Sequence, residues 1–164
     1  MKGIFWNNRD LRDLAKFRFL SDLTKEHNLI FIALLETDTE LNNICGGKYF
    51  LWSWIDPKGR SGGILLGINP SIFDIGFISQ GDYHIKFRMR NKVDGFQWNL
   101  IAFYGAAQVE HKESFLTEIV QCCQNETIPL LMGGDFNLIR GPNEKIMIDM
   151  MIDGHLCSMW SLVV

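Results

Sequence analysis

Two polar side chains stand two positions apart at the end of a short apolar segment, in the sequence Gly133-Gly134-Asp135-Phe136-Asn137. Residues 128–132, just before it, have the length and apolar character of a buried strand. The two glycines let the backbone turn sharply and let a ligand come close. If the segment stays extended, Asp135 and Asn137 project to the same side. The pattern predicts an acid and an amide aimed into one cleft, although a turn capped by Asp135 is a structural alternative.

Three other predicted strands also end in polar residues that suit phosphate or metal chemistry. Asn7 follows a strand at residues 2–6, Glu36 closes the apolar run 29–35, and Tyr104 ends a strand at 96–104. In sheets flanked by helices, ligands bind at the carboxyl ends of the strands. A carboxylate emerging from a buried run needs a partner, and Mg²⁺ is usually held by one or two carboxylates with waters and substrate phosphates.

Each of these three residues also has a purely structural interpretation when it is taken alone. Glu36 can cap the following turn, Asn7 can cap the next helix, and Tyr104 can be an amphipathic rim residue. The functional interpretation therefore depends on all the strand ends lying together.

The elements that must position these residues change in kind along the chain. Strand, helix and strand at residues 2–6, 10–27 and 29–35 predict a parallel pair with a helix on one face. Strands at 49–54, 63–68, 72–78, 83–90 and 96–104, several joined by tight turns, predict antiparallel sheet. A helix at 110–125 and the strand at 128–132 complete a mixed α/β sandwich. Residues 145–164 are apolar without a clean helical or strand period.

The strand at residues 83–90 alternates regularly between apolar and polar side chains. Tyr83, Ile85, Phe87 and Met89 share one face, which we expect to be buried. The opposite face carries His84, Lys86, Arg88 and Arg90, and we expect it to be the solvated side of a half-buried strand.

The composition is that of a single globular domain. The chain has 164 residues, of which 47% are hydrophobic and 21% charged, and a net charge of −3. That charge argues against strong, independent nucleic-acid binding, so any DNA contact must be local. The four cysteines lack metal-ligand spacing and are expected to be reduced. No apolar run approaches the roughly 20 residues of a membrane span, and no signal peptide precedes the first strand, which predicts an intracellular protein.

Five segments, in order, resemble the endonuclease/exonuclease/phosphatase superfamily, and more narrowly the amino-terminal endonuclease domain of plant non-LTR (LINE-type) retrotransposon polyproteins. They are Trp6-Asn7-Asn8-Arg9, Leu34-Leu35-Glu36-Thr37, Ser61-Gly62-Gly63, Phe103-Tyr104-Gly105 and Gly133-Gly134-Asp135-Phe136-Asn137. The resemblance covers residues 1–145 and leaves 146–164 as a tail outside the family pattern. It implies an α/β (α+β) fold: a four-layer α/β/β/α sandwich of two facing mixed sheets with helices outside, incomplete at its C-terminus.

The resemblance also implies Mg²⁺-dependent, or Mn²⁺-dependent, hydrolysis of a phosphodiester, which in a retroelement means nicking target DNA in the nucleus or cytoplasm. The parent polyprotein would carry a reverse transcriptase. Glu36 would be a metal ligand, and Asn7 would help to hold the metal shell and the phosphate. Tyr104 would contact the scissile phosphate, Asp135 would orient or deprotonate water, and Asn137 would bind phosphate and steady Asp135.

The sequence departs from the family pattern in three places. Asp10 stands where glycine is usual, and Ala106-Ala107 where proline is usual. Nothing matches the family's terminal Ser-Asp-His, since Asp153-Gly154-His155 has a different order and context. We therefore expect impaired catalysis, with an inactive retroelement-derived remnant or binding module as the main alternative and a small-molecule or lipid phosphatase as a weaker one.

Overall fold

The chain folds into two β-sheets, each of which has one helix on its outer side. The structure is a computed structural model that describes residues 2–7, 14–37, 50–57, 62–124, 126–138, 147–152 and 155–160. The layers are helix, sheet, sheet and helix, so the predicted α/β/β/α sandwich is confirmed.

The first sheet contains four strands and carries the amino-terminal part of the chain. Its strands are β1 (Gly3–Asn7), β2 (Phe31–Thr37), β3 (Leu51–Ile55) and β4 (Gly63–Ile68), in the order β1-β2-β4-β3. Helix α1 (Leu14–His27) lies between β1 and β2, which pair in parallel as predicted. The β2–β4 and β3–β4 pairs are antiparallel. The predicted start of α1 at Asp10 lies outside the described residues.

The second sheet contains six strands. They are β5 (Phe73–Gln80), β6 (His84–Asn91), β7 (Gln97–Tyr104), β8 (Leu130–Asp135), β9 (Met147–Ile152) and β10 (His155–Trp160), in the order β5-β6-β7-β8-β10-β9. A 3-10 turn (Val109–His111) and helix α2 (Lys112–Cys123) connect β7 to β8, which pair in parallel. The predicted antiparallel strands are confirmed, but they are divided between the two sheets.

The carboxyl-terminal residues form a hairpin that extends the second sheet. Strands β9 and β10 pair antiparallel, and β10 runs parallel to β8. Both strands lie within residues 146–164, where the sequence showed no clean period. The domain boundary at residue 145 stays a prediction.

Apolar side chains fill three layers of packing. The central cluster lies between the sheets, and the two others lie beneath α1 and α2. Strand β1 shows this division, because Phe5 packs against the central cluster while Ile4 and Trp6 pack on the α1 side. Among the residues described, no helix is both long and apolar enough to cross a bilayer.

The outer face of β6 differs from the prediction. Ile85, Phe87 and Met89 are buried as expected, and Arg88 and Arg90 are exposed. Tyr83, predicted to share the face of Ile85, instead packs with the cluster beneath α2. His84 and Lys86, however, are buried, so the solvated face predicted for them is wrong. Helix α2 and the residues after it cover this half of the strand and supply acidic partners, with Glu118 Oε1 2.5 Å from His84 Nδ1 and Glu126 paired with Lys86.

Candidate active site

The carboxyl ends of β1, β2, β7 and β8 meet at one end of the cleft between the sheets. Asn7, Tyr104 and Asp135 are the last residues of their strands, and Glu36 is the last but one of β2. At this end of the cleft, two of the hydrogen bonds between described side chains join one sheet to the other. Asn7 Nδ2 donates to Asp135 Oδ2 at 2.5 Å, and the Tyr104 hydroxyl donates to Glu36 Oε1 at 2.6 Å. The structure thus brings together the strand ends that the sequence singled out.

Glu36 reaches the cleft because the backbone of β2 is irregular at this residue. The register between β2 and β4 shifts between Leu35 and Thr37, and Glu36 has a φ of 58°. In a regular strand Glu36 would share the face of Ile32 and Leu34, which pack on the α1 side. A β-bulge re-aims a side chain in this way, and positive φ in a non-glycine residue is uncommon and costs free energy. The bulge therefore accounts for the contact of Glu36 with Tyr104.

Asp135 and Asn137 come together by a different route from the predicted extended segment. Strand β8 ends at Asp135, and Asn137 has a φ of 48°. The Asn137 backbone N–H donates to Asp135 Oδ1 at 3.0 Å, which closes a tight Asx-type turn. The Asn137 carboxamide donates to the Gly105 carbonyl oxygen at 2.7 Å. The segment is therefore not extended through Asn137, contrary to the prediction. The side chains of Asp135 and Asn137 nevertheless both lie close enough to Tyr104 to act on its hydroxyl.

Two glycines allow the turns beside Asp135 and Tyr104 to approach each other. Gly134 has a φ of 145°, and a Cβ built on it would overlap the carbonyl oxygen of Phe103. A Cβ on Gly105 would overlap the carbonyl oxygen of Phe136. The Gly105 N–H instead donates to the Asp135 carbonyl oxygen at 2.6 Å. Only residues without side chains allow this close backbone packing.

The hydroxyl of Tyr104 is held in its protonated form. Burial raises its pKa well above the ordinary value, and the hydrogen bond and negative charge of Glu36 raise it further. The charge of Asp135 acts in the same direction, while a hydrogen bond with Asn137 partly offsets it. Tyr104 is therefore a hydrogen-bond donor, and both carboxylates of the site act on it.

The donor set at this end of the cleft fits a hard divalent cation. Asn7 Oδ1 is buried and has no hydrogen-bond partner among the described residues, although Asn7 Nδ2 is bound to Asp135. A carboxamide oxygen next to carboxylates is the ligand type that Mg²⁺ accepts, and this ion needs only one or two carboxylates from the protein. Across the described ranges, no group of three or more histidine, cysteine, aspartate or glutamate residues could hold a metal. A cation here would thus rely on Glu36, Asn7 and the substrate.

Gly62 is a residue of the site to which the sequence analysis assigned no role. It directly precedes β4, and a Cβ built on it would overlap Cα of Glu36. Gly62 therefore leaves room for the bulge. Its place in the ordered family segments was the signal that could have pointed to this role.

A second polar cluster lies beneath α2, on the other face of the second sheet. Cys122 Sγ is 3.3 Å from His84 Nε2 and 3.5 Å from Nδ1, and His84 also contacts Glu118. A thiol that hydrogen-bonds one imidazole nitrogen in the plane of the ring lies much farther from the other nitrogen. Because the two distances here are nearly equal, Cys122 Sγ lies over the face of the His84 ring. Burial, followed by the charge of Glu118, raises the pKa of Cys122 to about 12. This trio therefore lacks the geometry and the thiolate of a nucleophilic site.

The Asp153-Gly154-His155 segment is described only in part. Residues 153 and 154 lie outside the described residues, and His155 is the first residue of β10. The catalytic, metal-binding and phosphate-binding roles assigned to Asn7, Glu36, Tyr104, Asp135 and Asn137 stay predictions.

The chain matches no protein-family model and no curated protein. Its fold is similar to that of several solved structures. The human Nocturnin catalytic domain with bound sulfate anion is 14% identical, with a TM-score of 0.60 over 83% of this chain and 64% of that one. D. rerio TDP2, humanized by 14 mutations, is 12% identical, with a TM-score of 0.64 over 84% of this chain and 62% of that one.

A third similar structure is that of ANGEL2, a 2′,3′-cyclic phosphatase, in complex with adenosine-2′,3′-vanadate. It is 12% identical, with a TM-score of 0.58 over 76% of this chain and 44% of that one. This chain therefore spans less than two thirds of each of these three structures. All three belong to the endonuclease/exonuclease/phosphatase superfamily.

Proposed function

The chain has the sandwich fold of this superfamily, and from the site built on that fold we propose that it hydrolyses phosphodiesters with the help of Mg²⁺. The observation that carries the proposal is the pair of hydrogen bonds joining Asn7 to Asp135 and Tyr104 to Glu36, while no described residue binds Asn7 Oδ1. These two bonds bring two carboxylates, one amide group and a phenol to one opening of the cleft, and Asn137 adds a second amide group there.

Glu36 and Asn7 are the residues that would hold the cation. Glu36 supplies charge, and Asn7 supplies a neutral oxygen whose orientation is fixed by the bond from its Nδ2 to Asp135. When bound, Mg²⁺ neutralises charge that develops on the phosphoryl and leaving oxygens. Mn²⁺ accepts the same oxygen ligands and is expected to substitute.

Asp135 is the group that would orient and deprotonate the attacking water. Its carboxylate is fixed on both oxygens, by Asn7 Nδ2 on Oδ2 and by the Asn137 N–H on Oδ1. A base held in one orientation lowers the entropy cost of aligning the water with the phosphorus.

Tyr104 and Asn137 would donate hydrogen bonds to the phosphoryl oxygens. The raised pKa of Tyr104 keeps its proton on the hydroxyl. The Asn137 carboxamide lies at the same opening, where Gly105 fixes its orientation. The single O–H proton of Tyr104 is donated to Glu36 in this structure, so the hydroxyl would turn to the phosphoryl oxygen when Glu36 binds the cation. The Asn137 amide, which is already fixed, would stabilise developing negative charge with little reorganisation.

DNA is the substrate we propose, cut on one strand as in retrotransposon target-site cleavage. The proposal rests on the ordered segments that resemble LINE-type endonucleases. The sulfate bound to Nocturnin and the adenosine-2′,3′-vanadate bound to ANGEL2 agree with oxyanion and nucleotide binding on this fold. With a net charge of −3, affinity for DNA would come from a small number of local contacts.

Nicking of supercoiled plasmid tests the proposal. The purified chain should convert supercoiled DNA to open circles with Mg²⁺ and not with EDTA, and a polymerase should extend the nicks from free 3′ hydroxyls. Glu36→Gln and Asp135→Asn should each lower the rate about a hundredfold or more. Asp74→Asn is the matched control, because Asp74 is an exposed carboxylate of the edge strand β5, with a side chain 60% exposed.

A folded wild-type chain that leaves the plasmid intact would contradict nuclease activity and favour the inactive remnant. Hydrolysis of small phosphate esters without nicking would favour the phosphatase alternative, which the net charge and the naming of ANGEL2 as a cyclic phosphatase support. Full activity in both site variants would contradict the residue roles.

A further inference from the structure

We propose that the contact between Phe5 of β1 and Gly133 of β8 is the spacer that sets the distance between Asn7 and Asp135. A Cβ built on Gly133 would overlap Cδ2, Cε2 and Cζ of the Phe5 ring. The ring therefore rests directly on the backbone of β8. Gly133 and Phe5 are positioning residues, since neither carries a group that could react.

The alternation of the two strands links this contact to the site. Side chains two residues apart on a strand share a face, so Phe5 and Asn7 lie on one face of β1. Gly133 and Asp135 likewise lie on one face of β8. The ring-on-glycine contact and the 2.5 Å bond between Asn7 and Asp135 are therefore consecutive contacts between the same two strands.

Asn7 and Asp135, which meet across the cleft, have short side chains. Their hydrogen bond therefore tolerates only a small change in the distance between β1 and β8. Facing sheets pack about 10 Å apart when ordinary side chains fill the space between them. Asn7 and Asp135 have only one methylene each before the polar group, so even a small separation of β1 from β8 breaks their bond. A residue without a side chain at position 133 lets the strands approach closely enough.

Strand β1 is paired on one side only, so the contact between Phe5 and Gly133 has a large effect on its position relative to β8. It is an edge strand and pairs by backbone hydrogen bonds with β2. Phe5 also packs edge-on against Phe31 of β2, with ring centroids 5.3 Å apart. A push on the Phe5 ring would therefore shift β1 away from β8 and widen the gap at Asn7.

The variants Gly133→Ala, Phe5→Val and their combination test the spacer directly. We expect Gly133→Ala to separate the strands, and the smaller valine to make room for the added methyl group, so that the double variant recovers. Gly76→Ala in β5 is the matched control, because a Cβ there meets only the Arg88 carbonyl oxygen, at 3.8 Å.

The first measurement is independent of activity. In ¹⁵N-labelled protein, the side-chain amide of Asn7, assigned with Asn7→Ala, should show a downfield, slowly exchanging proton because of its short bond to a carboxylate. Gly133→Ala should lose this signal. Phe5→Val, the double variant and Gly76→Ala should keep it.

The second measurement rests on the proposed function. Gly133→Ala should lower kcat for Mg²⁺-dependent nicking about a hundredfold with KM little changed, since small misplacements of catalytic groups cost this much. The double variant should return to within about threefold of Phe5→Val. A purely structural role for Gly133 would not give this recovery together with the return of the amide signal.

The proposal is overturned if Gly133→Ala keeps the Asn7 signal, or if the double variant does not regain it. If circular dichroism shows that Gly133→Ala does not fold, the comparison is between Phe5→Val and the double variant. Equal Asn7 amide signals in these two proteins support the proposal. Loss of the signal in the double variant overturns it. If the signals follow the expected pattern but wild type cuts no phosphodiester, the spacer stands and the proposed function fails.

Discussion

The surroundings of Tyr104 keep its hydroxyl protonated. Burial and the carboxylate of Glu36 both favour the neutral phenol. The residue can therefore donate to a phosphate but cannot remove a proton from water near neutral pH. Asp135, whose two oxygens are already aligned, is therefore the residue that we propose as the base.

The raised pKa of Tyr104 predicts a dependence of stability on alkaline pH. A folded pKa above the ordinary value of about 10 adds stability that is fully present below pH 10 and lost as the pH rises toward the folded pKa. The unfolding free energy of wild type, compared with Tyr104→Phe, should fall by about 1 kcal/mol per pH unit above pH 10. Urea unfolding of both proteins from pH 8 to 11 measures this free-energy difference. A difference that stays constant over this range would contradict the raised pKa of Tyr104.

Glu36→Gln should separate stability from cation binding. Two carboxylates act on one phenol in this cleft, so removing one charge should leave the unfolding free energy in EDTA unchanged or raise it by about 1 kcal/mol. Mg²⁺ should raise the melting temperature of wild type, since a ligand bound only to the folded state stabilises it. Glu36→Gln should lose most of this increase while Asp74→Asn keeps it. Equal increases in wild type and Glu36→Gln would exclude Glu36 as a ligand.

At the scale of elements, the strands were predictable and the direction of the site carboxylate was not. Apolar runs and turns located strands β1 to β8 to within a few residues, and their ends pointed to Asn7, Tyr104 and Asp135. Strands β9 and β10 were not predicted, because residues 145–164 have no clean period. Regular alternation places Glu36 on the α1 side of β2, and only the bulge turns it inward. A bulge depends on how two strands pair, which local sequence patterns do not contain.

The outer face of β6 and the meeting of β1 with β8 were missed for a related reason. Lys86 and His84 look like solvent-facing residues until α2 and the following segment supply Glu118 and Glu126. The fit of Phe5 on Gly133 joins residues far apart in the chain. Non-local contacts of this kind override the local pattern.

The bulge in β2 predicts a specific effect of Gly62→Ala. The added methyl group would overlap Cα of Glu36, so the bulge must shift or relax. We expect a stability loss of about 1–3 kcal/mol and a fall in Mg²⁺-dependent nicking of about tenfold or more, larger than the stability loss explains. Gly76→Ala, where the added Cβ makes an ordinary van der Waals contact with the Arg88 carbonyl oxygen, should change neither the nicking rate nor the urea midpoint. Normal nicking by folded Gly62→Ala would show that the bulge does not need this glycine.

At the scale of the whole molecule, the site is divided between two sheets that meet by side-chain packing and by a few side-chain hydrogen bonds. Asn7 and Glu36 come from the first sheet, and Tyr104 and Asp135 from the second. Neither half forms a site alone. The proposed activity would therefore require the two sheets to dock.

The central claim is that Glu36 and Asp135, on different sheets, form one phosphodiester-cleaving site. The most direct test is a double-mutant cycle on the rate of Mg²⁺-dependent plasmid nicking, with Glu36→Gln, Asp135→Asn and their combination. Groups that act as a unit fail together, so the double variant should be slower than the slower single variant by less than about tenfold. Two losses that multiply, or a folded wild type that does not nick DNA with Mg²⁺, would contradict the account.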